Sequence, residues 1–345
     1  MKKRLFIFLL AALAILPGCE RRPLEYDSPN QSINLRLNLR LNVLINGMEE
    51  TLPEPEMMRV MFFNPESNEL YTECYLPAGG GRVSLPPGRY KLLAYNFDTE
   101  STLLRNDRNF FSIEAYTNDI SSAMKANMLN SIRYAKSANT KSDSEGGLWD
   151  EAIQKVIDNP IIYEPDHLFV SRETIEVRDE TGEQVIEASA ETIIETWQIS
   201  VRIKGAQYIS SARALLTGQI ASNFIGFPKE EGKTDTDATL MFDMNPGSDS
   251  AENDIITTQF NTFGKNPSVD SRLFLTIIIK NIAGDILEWH RDITDEYFSE
   301  DANKDQRIHI EDEIIVPEPE GGGGGGGGFQ PGVSDWEQED IPINI

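Results

Sequence analysis

One run of residues constrains this chain more than any other. From residue 33 to residue 43 it reads Ile-Asn-Leu-Arg-Leu-Asn-Leu-Arg-Leu-Asn-Val, apolar and polar side chains alternating without a fault. Successive side chains of a strand point to opposite faces, so this period lines the leucines along one side of a strand and along no single side of a helix. The chain therefore needs a sheet with one face buried, and the rest of the sequence supplies the other strands.

Residues 57–64 form a second apolar run between Pro55 and Pro65, and residues 70–76 a third. Gly79-Gly80-Gly81 makes a turn into 82–85, and Pro86-Pro87-Gly88 delivers a further strand over 90–97. Short strands at this spacing, punctuated by Gly and Pro, indicate a β-sandwich, with residues 110–116 expected to close the first sheet. A second β-rich block starts near Leu168. Its expected strands are 192–204, 212–217, 239–244, 255–263, 273–279, 286–293 and 307–316, and the nearly continuous apolar run at 273–279 predicts a central strand covered on both faces. Between the blocks, 119–136 has near-helical spacing of Met124, Met128, Leu129 and Ile132, and 149–157 predicts a short amphipathic helix.

The two ends carry different signals. Lys2, Lys3 and Arg4 precede an apolar stretch from Leu5 to Leu16, the layout of a secretory signal and shorter than the roughly 20 residues that span a bilayer. It closes on Leu16-Pro17-Gly18-Cys19, which resembles a lipobox: cleavage after Gly18 and acylation of the Cys19 thiol are expected, with palmitate-type chains holding the protein to a membrane. No Asp follows the cysteine, so outer-membrane residence is expected; the acidic cluster that often accompanies export to the cell surface is missing, which leaves a surface-facing or a periplasm-facing position open. At the other end eight glycines, Gly321 to Gly328, form a coil of roughly 15–17 Å span, followed by Trp336 and an alternating Ile341, Ile343, Ile345. That tail is expected either to finish its own sheet or to add a strand to a neighbour's.

Composition narrows the chemistry. Lys and Arg number 31 against 56 Asp and Glu, a net charge of −25, which repels phosphate backbones and makes nucleic acid a poor partner. With Cys19 taken by lipid, Cys74 has no disulfide partner and is expected as a small buried apolar residue in a strand. His167, His290 and His309 show no metal-ligand spacing, and neither a nucleophile elbow nor a phosphate loop occurs. Asp301, Asn303, Asp305 and Asp312 partly mimic a calcium loop, but Gln306 stands where its glycine belongs, so a solvated acidic turn is the favoured reading. No cofactor and no catalysis are expected.

Several motifs in order resemble a fimbrillin-related lipoprotein family of Gram-negative anaerobes, of DUF5119 type. They are the lipobox at Cys19, Leu85-Pro86-Pro87-Gly88-Arg89-Tyr90 with Tyr95-Asn96, and Ala214-Leu215-Leu216-Thr217-Gly218. Further on come Gln259-Phe260-Asn261-Thr262-Phe263-Gly264, Asp292-Ile293-Thr294-Asp295 and Gly332-Val333-Ser334-Asp335-Trp336. The resemblance implies an all-β protein of two tandem transthyretin-like β-sandwiches, and a role as a fimbrial or fimbria-like anchor or assembly component that meets other surface subunits by strand addition. The expected organisation is a signal peptide (1–18), a tether (19–30), an N-terminal sandwich (31–116), a partly helical connection (117–165), a C-terminal sandwich (166–316), a Pro/Gly linker (317–328) and a strand segment (329–345). The alternative is an outer-membrane lipoprotein that binds glycan or another ligand.

Overall fold

A computed structural model describes residues 30–138, 146–244, 246, 254–266 and 272–319. Gly18, Cys19, the tether as far as residue 29, the glycine run and the 329–345 segment lie outside the described residues.

The alternating run becomes β1 (Gln31–Arg40), with Ile33, Leu35 and Leu37 buried and Arg36 and Asn38 exposed. It ends sooner than its pattern predicts. After Leu41 the chain forms a hairpin of β2 (Asn42–Ile45) and β3 (Met48–Thr51). Asn46 and Gly47 turn it with φ of 51° and 71°, the left-handed pair that fits the twist of a two-residue hairpin. The Gly47 N–H donates to the Asp305 carbonyl at 2.9 Å, so this hairpin leaves the first sheet and docks on the C-terminal half.

The next strands fall on the expected segments: β4 (Met57–Phe63), β5 (Leu70–Pro77), β6 (Gly80–Leu85) and β7 (Gly88–Asn96). Then come β8 (Thr102–Arg105), β9 (Glu114–Thr117), α1 (Ser122–Ala138), α2 (Gly146–Asp158) and β10 (Ile161–Tyr163). They are followed by β11 (Phe169–Val177), β12 (Gln184–Thr192), β13 (Glu195–Lys204), β14 (Ile209–Ile220), β15 (Ser222–Phe224) and β16 (Asp237–Asp243). Last are β17 (Ile255–Thr262), β18 (Phe274–Asn281), β19 (Ile286–Asp292), α3 (Thr294–Phe298), α4 (Glu300–Asp305) and β20 (Arg307–Ile315).

The first body is a seven-stranded sheet in the order β5-β4-β7-β11-β12-β1-β6. This corrects the expected boundary at 165/166, because β11 and β12 belong with the N-terminal strands. β1 needs a partner on each edge. It takes β6 antiparallel on one side and β12 parallel on the other, with Leu37 beside Ala188 and Leu39 beside Ala190. The edge strands β5 and β6 are joined by Ala78-Gly79, so the sheet rolls until its ends approach, enclosing Leu35, Met58, Val60, Phe62, Leu92 and Val177. The roll is tight at Gly80: a Cβ there would lie 2.1 Å from the Leu35 carbonyl oxygen, and φ is +96°.

Residues 110–116 do not close that sheet. β9 pairs instead with β8 and with β15 from the second half, as a separate three-stranded sheet. The second body is a sandwich in which β10-β16-β14-β18-β19 faces β17-β13-β20. Between them lie Trp197, Ile199, Leu216, Leu240, Phe260, Ile277 and Ile310. β18 lies between β14 and β19 in the interior of its sheet, as its apolar run predicts.

The connection over 117–165 packs as a layer. Met128, Ile132, Ile153 and Val156 of α1 and α2 are buried against Leu215 and Met241 on the outer face of the larger sheet, and β10 becomes that sheet's edge strand. α1 starts where the Ser121 hydroxyl accepts from the Met124 N–H at 3.1 Å. A third cluster binds the two bodies: Met61, Phe63, Leu93 and Tyr95 of the first sheet meet Ile194, Ile220, Ile225 and Phe263 of the second half. At roughly 1.5–3 kcal/mol for each large apolar side chain fully buried, this joint is a substantial part of the fold.

Candidate functional site

Where the β2–β3 hairpin crosses to the second body it walls a cleft of about 490 Å³. Val43 and Leu44 form one side, and the start of β13 forms the floor. The loop after β15, Lys265 and helices α3 and α4 complete it.

The floor is ordered by stacking and charge. The Trp197 ring lies on Tyr297 at 4.5 Å between centroids, 24° from parallel, and its indole N–H donates to Glu195 at 3.3 Å. Glu195 accepts from Lys233 at 2.9 Å, and Lys233 also pairs with Glu230 at 2.8 Å. Those two carboxylates keep the Lys233 ammonium charged above the ordinary lysine range, outweighing its burial. Burial holds the Tyr297 phenol protonated far above its ordinary range.

Two further lysines open on the same cleft. Lys229 is pulled below the ordinary lysine range by burial, with Lys233 adding repulsion. Lys265, also lowered by burial, lays its ammonium 3.4 Å from the centre of the Phe298 ring. The loop carrying Lys229 and Lys233 is closed by the Gly232 N–H donating to the Pro228 carbonyl at 2.9 Å, and a Cβ on Gly232 would meet the Phe224 carbonyl oxygen at 2.3 Å.

A partly buried polar chain lies nearby. Thr192 and Thr196 flank the two ring nitrogens of His167 at 3.1 and 3.0 Å. The Thr196 hydroxyl is also 2.8 Å from the Asn261 side-chain oxygen, and the Asn261 N–H donates to Glu164 at 2.9 Å. Burial raises Glu164 to about 7, the Asn261 N–H opposing it. Burial, aided by Lys229, lowers His167 to about 4.

The residues expected from sequence fare differently. Asp301, Asn303 and Asp305 lie in α4, capped by the left-handed Gln306 (φ 52°), while Asp312 sits on β20 and pairs with Arg291 at 2.6 Å. The calcium-like spacing is thus a helix followed by a strand, and the four side chains are not brought into one loop. Among the described residues no group of three or more His, Cys, Asp or Glu is placed to hold a metal. Cys74 is half-buried against the first core, and burial raises its thiol. No helix among the described residues is long and apolar enough to cross a membrane. Sequence reading missed the cleft lysines, although two lysines four apart in so acidic a chain were a signal.

Residues 18–243 match the family described as "Domain of unknown function (DUF5119)". The chain belongs to this family. This DUF5119 protein is also 26% identical over 215 residues to a candidate fimbrium anchoring subunit, Fim4B, of Bacteroides ovatus, a match covering 62% of this chain and 53% of the relative. The chain thus spans about half the length of that curated relative. Among solved structures it is similar to a candidate adhesin from Bacteroides ovatus, with a TM-score of 0.54 and 19% identity over 89% of this chain and 99% of that one. That likeness is one of fold. A looser one, TM-score 0.42 and 12% identity over 82% of this chain and 90% of the other, is to the fimbrial anchor protein Mfa2 from Porphyromonas gingivalis. The DUF5119 protein is all-β, as its alternating runs predict.

Proposed function

We propose that the protein is a non-enzymatic component of the cell envelope that anchors or helps assemble a fimbria-like polymer at the outer membrane. The similarity over 215 residues to a candidate fimbrium anchoring subunit carries this reading. Leu16-Pro17-Gly18-Cys19 supports a lipid anchor at Cys19, with the signal peptide removed after Gly18. Two packed β-bodies with helices laid against one sheet suit a rigid load-bearing base. In this reading residues 329–345, on their glycine leash, reach an open sheet edge of a neighbouring subunit, where adding a strand would satisfy a row of backbone donors and acceptors.

The test is co-purification. Surface filaments sheared from cells expressing the tagged protein should carry it, and a variant lacking residues 329–345 should remain folded and membrane-bound but separate from them. Filaments free of the intact protein would overturn the reading. A deletion that lowers the Tm of the monomer while leaving association intact would remove the tail from it.

A further inference from the structure

Three exposed large apolar side chains fall together on the outside of the first body: Tyr75 is 47% exposed, Met57 45% and Phe97 52%. Alternation along β4, β5 and β7 puts them on the face turned away from the core that Val60, Leu76 and Leu92 fill. Met57 pairs with Pro77 of β5, and its carbonyl accepts from the Phe97 N–H at 3.1 Å. The patch thus crosses three neighbouring strands, a width of roughly 10 Å. The Tyr75 and Phe97 rings lie 5.3 Å apart at 64°, two sides of an open angle.

A fixed polar edge stands beside these rings. Arg59, opposite Tyr75 in the register, donates from Nε and Nη2 to Glu73 Oε2 at 3.2 and 2.6 Å. It also donates from Nη2 to Asp107 Oδ2 and from Nη1 to the Tyr95 hydroxyl, both at 2.8 Å. The arginine side chain is 13% exposed, the two carboxylates 33% and 36%. Arg59 engages one oxygen of each carboxylate. Glu73 Oε1 and Asp107 Oδ1 take no hydrogen bond among the described residues, and the shared guanidinium holds them in place as acceptors.

We propose that this patch binds a hexose ring of a neutral glycan, its C–H face on Tyr75 and Phe97 and its hydroxyls donating to Glu73 and Asp107. A ring face carries partial negative charge and attracts the slightly positive hydrogens on the face of a sugar. Hydroxyl groups match acceptors whose orientation is already set, so little freedom is lost on binding. Charge decides against other occupants. Glu56 and Asp98, next in sequence to Met57 and Phe97, form no ion pair among the described residues and repel uronates and phosphate-rich polymers. A cation is opposed by the Arg59 charge that already sits between the two carboxylates. A lipid surface is in the wrong place. The register runs from Arg40 through Glu191, Val170 and Tyr95 to Arg59, so the patch is level with the end of β1. That is roughly 30 Å along the strand from Gln31, where the segment bearing Cys19 enters.

The probes are neutral hexasaccharides of glucose, mannose and galactose, titrated into the full chain and read by saturation-transfer NMR on the sugar. At least one should bind, with the strongest transfer on its ring C–H protons and little change with salt. Tyr75→Ala with Phe97→Ala should weaken binding at least about tenfold at unchanged Tm, and Tyr75→Trp, which keeps a flat ring, should retain it. Asp107→Ala should weaken it at least about threefold through the lost acceptor. Tyr71→Ala removes another exposed ring of β5 that lies against Tyr90 and outside the patch, and should leave binding unchanged. Failure of all three sugars to bind would overturn the proposal. So would binding that survives the double alanine variant or Asp107→Ala, or stronger binding of hexagalacturonate or of an octalysine peptide. The outcome is independent of whether the protein anchors a polymer.

Discussion

Glu164 and His167 lie three residues apart and are displaced in opposite directions by the same burial. Glu164 titrates at about 7 in the folded protein against an ordinary 4.5. Between those values the folded protein holds a proton that the unfolded chain has released, so this residue's contribution to stability falls as pH rises and its cost is complete above about 7. His167 titrates at about 4 against an ordinary 6.5. Here the unfolded chain takes up the proton first, so stability is lost as pH falls through that window. The two slopes oppose each other and partly cancel. Glu164→Gln keeps an oxygen for the Asn261 N–H and removes only one slope. Its Tm should match that of the parent near pH 4 and exceed it by a margin that grows until about pH 8. A margin that stays constant across thermal melts at these pH values would show that Glu164 does not titrate in this range.

Strands were legible because most are amphipathic, and period two survives any change of partner. Partners were not. Nothing in Gln184-Val185-Ile186-Glu187-Ala188 says that it lies parallel to β1, because that pairing is chosen by fit: small Ala188 and Ala190 beside Leu37 and Leu39. The helices were visible as spacing, but their packing on the outer face of the second sandwich was not, since that face shows only as Leu215 and Met241 in strands already apolar on the inside. The cleft was the least legible feature, being assembled from the β2–β3 hairpin, β13, the loop after β15, Lys265 and two short helices. Elements also differ in what they tolerate. Leu35, on the buried face of β1, is 1% exposed, and Leu35→Ala should cost about 2–5 kcal/mol. Val185, in the neighbouring strand, is 51% exposed, and Val185→Thr should change stability by less than about 0.5 kcal/mol. Equal losses in urea titrations would mean that β1 does not face the core in solution.

At the scale of the whole molecule the shared cluster of Phe63, Tyr95, Ile220 and Phe263 couples the two bodies. Phe63→Ala, which opens that cluster from the first sheet, should cost about 3–5 kcal/mol. It should lower one common melting transition, read both by tryptophan fluorescence, with Trp197 in the second body, and by far-ultraviolet circular dichroism. Two separated transitions in the parent protein would show that the bodies unfold independently. Cys19→Ala should release the protein from the membrane fraction or leave it unprocessed, and a variant that is cleaved and acylated as before would remove Cys19 as the anchor. The parallel pairing of β1 with β12 joins residues such as Arg40 and Glu191, 151 positions apart. A ribosome or an export channel delivers the amino-terminal side first, so β1 must wait, with one edge bare, until nearly the whole first body and the helical layer have followed it. The first strand of that sheet is thus paired on both edges only after residues 184–192 have followed it. Until then its leucines need a chaperone's cover more than those of any other strand.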